Sequence, residues 1–72
     1  MNITVVGMGY VGLSMAVLLA QDNSVRALEI IESKVDSINN GISPITDDYL
    51  SDYLANKELD LVAKQILSLH MN

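Results

Sequence analysis

Gly7, Gly9 and Gly12 lie between a β-branched run and an apolar helical pattern, and they constrain this chain more than anything else in it. Ile3-Thr4-Val5-Val6 has the character of a buried parallel strand, predicted over Asn2 to Val6. The stretch from Tyr10 to Ala20 is almost wholly apolar and predicts a helix. A strand that ends in GxGxxG and runs straight into a helix gives each glycine its own task. Gly7 allows the tight turn, Gly9 lets the backbone approach a pyrophosphate, and Gly12 lets the helix pack closely. The N–H groups around Gly9, Tyr10 and Val11 then face the phosphate charge at the helix N-terminus. The plainer alternative is a tight strand–helix turn that holds no ligand.

Glu29 strengthens the dinucleotide reading. It closes the next strand-like run, Val25 to Ile31, and stands 17 residues beyond Gly12 and 22 beyond Gly7. The dinucleotide fingerprint places an acid about 20 residues on, where it accepts hydrogen bonds from a ribose 2′-OH. A carboxylate there repels a 2′-phosphate, so NAD is expected over NADP. Arg26 favours NADP only if it reaches past the strand end, and its early position opposes that. Glu29 taken alone also fits a solvated acid at a strand end. Lys34 is either a second contact near the adenosine ribose or a solvent-facing helix lysine. Tyr10 lies either against the pyrophosphate loop or on the helix that follows Pro44.

Within the first helix the pattern predicts Val11, Met15, Leu18 and Leu19 as the buried side, with Gly12 and Ala16 as an i,i+4 pair of small residues. A second helix is expected over Ser33 to Asn39, burying Val35 and Ile38 and stopped by Asn40-Gly41. Ser43-Pro44 forces an extended path. Asp47 is the expected N-cap of a third helix to about Leu54, with Leu50, Tyr53 and Leu54 as its contacts. Leu59 to Ala63 reads as a third strand, and Lys64 to Asn72 as helical or frayed. No repeat or linker divides the 72 residues, so they read as one partial domain of α/β class.

Composition sets the limits. Half the residues are hydrophobic, the amount needed by a sheet covered on both faces, yet too few elements are present to cover both. A chain this short buries only about 60% of its unfolded surface. The net charge of −5 opposes nucleic-acid binding. The absence of cysteine excludes disulfides, thiolate metal sites and a cysteine nucleophile, and fits a reducing, cytoplasmic setting. No secretion signal precedes the glycines, and Gln21-Asp22-Asn23 ends the apolar run far short of a membrane span. Asp47 and Asp48 read as helix-capping acids rather than a cation site. His70 has no catalytic partners at motif spacing.

Several stretches together resemble one family. These are the segment from Ile3 through Gly7-Met8-Gly9-Tyr10-Val11-Gly12-Leu13-Ser14, then Leu28-Glu29-Ile30, Lys34-Val35-Asp36, Ile38-Asn39-Asn40-Gly41, and Ser43-Pro44-Ile45-Thr46-Asp47-Asp48-Tyr49-Leu50. From Met1 to about Leu61 they resemble the N-terminus of the UDP-glucose/GDP-mannose dehydrogenase family, above all its bacterial UDP-glucose branch. The GDP-mannose branch tends to carry Pro-Gly after the acid, where this chain has Asp48-Tyr49. The resemblance implies the N-terminal part of a Rossmann-type NAD-binding domain, three-layered and incomplete. It also implies a parent enzyme that oxidises the C6 hydroxyl of UDP-glucose to a carboxylate in two NAD-dependent steps. Gly7, Gly9, Tyr10, Val11 and Gly12 match the pyrophosphate loop, Lys34 matches a lysine near the ribose, and Glu29 replaces the usual Asp. The family's catalytic cysteine, with its lysine and asparagine partners, lies downstream of the matched stretch, as does the sugar-nucleotide domain. The chain is therefore expected to be a truncated, frame-disrupted or excised piece, inactive alone, with UDP-glucose a partner only of the full-length parent. Two alternatives are a fragment of another NAD-dependent nucleotide-sugar dehydrogenase and a non-catalytic protein that self-associates or pairs its sheet edge with a full-length homologue.

Overall fold

The computed structural model describes residues 1–66. The order is β1 (Asn2–Val6), α1 (Tyr10–Ala20), β2 (Ser24–Glu29), α2 (Glu32–Asn39), α3 (Asp48–Asn56) and β3 (Leu61–Gln65). The three strands form one parallel sheet in the order β1-β2-β3. Register places Ile3 beside Val25 and Val25 beside Leu61, then Val5 beside Ala27 and Ala27 beside Ala63. These residues share one face. Val25, Ala27 and Ala63 are buried there against Leu13, Ala16, Val17 and Ala20 of α1 and Val35 and Ile38 of α2. Leu13 and Val25 are fully buried, each removal from water worth about 1.5–3 kcal/mol.

Among the described residues the other face is bare. Thr4, Arg26 and Val62 align across it and are exposed, as are Val6 and Lys64 beside Leu28. The expected three-layer arrangement is thus two layers among the described residues: a sheet and the helices on one side of it. Its incompleteness takes the form of that uncovered face.

The predicted buried side of α1 is wrong. Val11, Met15 and Leu18 are exposed, Leu19 is half-buried, and the helix instead buries Leu13, Ala16, Val17 and Ala20. A helix apolar all round gives periodicity no polar face to read. Its rotation is set by close approach: a Cβ on Gly12 would lie 1.8 Å from the Gly7 carbonyl oxygen. Gly12 must therefore face the strand end, and the small Ala16 follows it one turn on.

Other bounds move by one to a few residues. β2 stops at Glu29, leaving Ile30 and Ile31 exposed outside the strand rather than within it. α2 begins at Glu32, and α3 runs to Asn56. β3 starts later than expected because Asp60 turns its N–H away from the ladder, to the Ala20 carbonyl at 3.2 Å, while its carboxylate accepts from Ser24 Oγ. The strand continues to Gln65, so Lys64 and Gln65 are not helical. The rest of the expected tail, from residue 67 and including His70, lies outside the described residues.

Two caps act as predicted. Gly41, at φ +74°, ends α2 in a Schellman arrangement, with Gly41 N–H to the Ile38 carbonyl and Ile42 N–H to that of Ser37. Asp47 accepts from Leu50 N–H at 3.0 Å and starts α3, which buries Leu50 and Leu54 with Tyr53 half-buried. Asn39 is used in a way the sequence did not suggest. Its side-chain amide donates to the Ala63 carbonyl at 2.9 Å and accepts from Ala63 N–H at 2.8 Å, pairing with the outer edge of β3 as a strand would.

Candidate functional site

The site lies at the C-terminal ends of β1 and β2, where sheets of this kind take their ligands. Gly7 leaves β1 at φ +85°, a conformation L side chains avoid, and its N–H extends the ladder to the Leu28 carbonyl at 2.7 Å. Gly9 is the N-cap of α1 with extended backbone, and a Cβ built there meets nothing within 4 Å. That open space is where a bulky group can approach the main chain. The first helical bond runs from Leu13 N–H to the Gly9 carbonyl at 2.9 Å. The N–H groups of Tyr10, Val11 and Gly12 therefore point out of the helix without backbone acceptors among the described residues. No side chain caps this end and no acid stands in its first turn, whereas α2 and α3 carry Glu32 and Asp48 there. The positive end of α1 is left for an external anion.

Glu29 projects from the end of β2 on the helix-covered face and is only 7% exposed. Its Oε1 accepts from Met8 N–H at 2.8 Å, inside the glycine loop, and its Oε2 from Ile31 N–H at 2.9 Å. These bonds, that to Ile31 foremost, hold the carboxyl below its ordinary pKa. Burial opposes the shift, and the Lys34 ammonium adds to it through space. The solvated-acid alternative for Glu29 is therefore excluded. Each carboxylate oxygen keeps a lone pair for a further donor.

Lys34 stands in the first turn of α2, half-buried, on the Glu29 side. Val11 is exposed beside the loop. Tyr10 heads α1 with its side chain exposed. With Asp47, Leu50 and Tyr53 it lines a hollow of about 240 Å³ between α1 and α3, the helix after Pro44. Arg26 sits mid-strand on the bare face, away from Glu29, as its early position implied. A larger hollow of about 820 Å³, bordered by Asp22, Glu58 and Asp60, lies at the opposite, N-terminal end of the strands. Among the described residues no cluster of acids or histidines is fit to hold a metal, and no helix is long and apolar enough to cross a membrane. Met8 and Ile31 were missed by sequence reasoning because they act through main-chain N–H groups, which no side-chain pattern reveals.

A parallel β-α-β unit with a glycine turn at one strand end and a docked acid at the next defines a nucleotide-binding α/β protein of the doubly wound class. Residues 1–70 match the UDP-glucose/GDP-mannose dehydrogenase family, NAD binding domain, and the chain belongs to that family. The match runs past Leu61, through β3. Among similar proteins, a UDP-glucose 6-dehydrogenase of Streptococcus pneumoniae is 54% identical over 63 residues, covering 88% of this chain and 16% of that protein. One from Campylobacter jejuni is 51% identical over 49 residues, 65% of this chain and 12% of that protein. A Bacillus subtilis UDP-glucose 6-dehydrogenase is 39% identical over 61 residues, 83% of this chain and 14% of that protein. The chain thus spans about a sixth or less of the length of these relatives.

Proposed function

We propose that this chain is the NAD-binding start of a UDP-glucose 6-dehydrogenase. The observation that carries the reading is the bond from Met8 N–H to Glu29, which joins the glycine loop and the β2 acid into one site. The residues fit the cofactor: open space over Gly9, N–H groups at Tyr10 and Val11 with no acceptor among the described residues for the pyrophosphate, and a carboxylate with spare lone pairs for ribose hydroxyls. Lys34 adds positive charge beside the ribose end. NAD, once bound, accepts hydride from the C6 carbon of UDP-glucose. The family resemblance puts the sugar site and the acid-forming thiol in other parts of the enzyme, and these 72 residues contain no cysteine.

The isolated chain accordingly binds NAD weakly, prefers it to NADP, and turns over no UDP-glucose. Calorimetric titration at millimolar cofactor checks all but the last point, and NADH absorbance with UDP-glucose checks that. A sub-micromolar dissociation constant, equal affinity for NADP, or NADH production above a blank would each refute the corresponding part. A second reading, association with another copy or a longer relative, is favoured by the bare sheet face. Light scattering after size exclusion tests it, and a clean monomer that unfolds cooperatively counts against it.

A further inference from the structure

Two successive N–H groups of the glycine loop are turned inward, onto β2. Gly7 N–H meets the Leu28 carbonyl at 2.7 Å and Met8 N–H meets Glu29 Oε1 at 2.8 Å. From Gly9 onward the N–H groups of the loop find no acceptor among the described residues. The division between anchored and outward N–H groups falls at Met8, and its anchor is a side chain rather than a sheet carbonyl. Met8 also stands between Gly7, at φ +85°, and the side-chain-free Gly9, the two joints with the widest backbone freedom. Through Ile31 N–H the same carboxylate holds the N-cap of α2, so one group ties together the loops that lead into both helices.

We infer that Glu29 is a positioning residue for the phosphate end of the site, pinning the glycine loop through Met8 N–H so that the outward N–H groups are aimed before any ligand arrives. Its effect on phosphate affinity rests on the dinucleotide reading above; the pinning itself does not. A residue assigned to the ribose thereby governs binding of a probe that carries no ribose. The device depends on charge. Glutamine presents one acceptor and one N–H₂ donor to two N–H groups that both need acceptors.

The test uses the full 72-residue chain, ¹⁵N-labelled, with inorganic pyrophosphate and NAD as separate probes. In Glu29→Gln the Met8 and Ile31 amides should exchange with solvent at least tenfold faster than in the wild type at the same pH, with Ala27 and Ala63 unchanged. Pyrophosphate affinity should fall about three- to tenfold. If pyrophosphate affinity holds within twofold while NAD affinity falls, Glu29 contacts ribose alone and the positioning role is overturned. If the wild type binds neither probe, the dinucleotide reading fails, and Met8 exchange alone decides the pinning: faster in Glu29→Gln supports it, equal rates refute it.

Should Glu29→Gln not fold, the wild type supplies the readout. The Met8 and Ile31 amide resonances should titrate together with one midpoint below the ordinary glutamate value, because the folded carboxyl is the stronger acid. The bonds persist above that midpoint and are lost as pH falls through it. Glu32, Lys34 and Asp36 on α2, Tyr10 on α1, Arg26 on β2 and Lys64 on β3 are the titratable groups of the elements around Glu29, and of these Lys34 acts on it through space. Separate midpoints, or none, would overturn the inference.

Discussion

At the scale of single residues, the three motif glycines are alike in type but not in reason. Gly12 is required by contact, since its Cβ would fall 1.8 Å from a backbone oxygen that cannot move aside cheaply. Gly9 has room for a side chain and unstrained backbone, so its smallness serves only what comes from outside. Gly12→Ala should therefore destabilise the chain by roughly 1–3 kcal/mol, as overpacking does. Gly9→Ala should leave the melting temperature unchanged while weakening NAD binding at least tenfold. Thermal melts with cofactor titration of both variants check the pair, and equal loss of stability would show that Gly9 too is structural. The glycine spacing and the acid at Glu29 were legible in the sequence because each lies at a motif position with its own side-chain character. The bond from Met8 to Glu29 was not, since its donor is a peptide group common to every residue except proline.

At the scale of elements, legibility followed polarity. α2 and α3 each mix apolar and polar positions, and Val35, Ile38, Leu50 and Leu54 are buried where their spacing placed them. α1 offered no such contrast, so its existence and length were readable while its rotation was fixed by a steric fact at Gly12. Strand ends shifted for a related reason: Ile30, Ile31 and Leu59 are as apolar as strand interiors, and only hydrogen bonding decides where the ladder stops. The ends of the short helices are secured by side chains whose roles differ. Asp47→Ala removes an N-cap and should cost about 1 kcal/mol. Asn39→Ala leaves a peptide of β3 without two partners, but at a part-buried edge that water can reach, so a loss of similar size is expected. Denaturation midpoints check both, and amide exchange at Ala63 should quicken only in Asn39→Ala.

At the scale of the whole molecule, the two margins of the sheet are unlike. Ser24 N–H to the Met1 carbonyl and Gly7 N–H to that of Leu28 turn the odd-numbered peptides of β1 toward β2, so those of Asn2, Thr4 and Val6 face outward beside the bare face. On β3 the middle outward peptide, Ala63, is already taken by Asn39. A sheet with two open margins can add copies at both and grow without limit, whereas one with a single open margin is satisfied by one neighbour. Edge-to-edge pairing in this chain should therefore stop at two copies, joined β1 to β1 about a two-fold axis. Concentrated samples should show monomer and dimer by light scattering, and no higher species. Asn39→Ala should convert that closed pair into an open series, seen as mass that keeps rising with concentration. One amide side chain, far from any ligand, would then be what separates a countable assembly from a fibre.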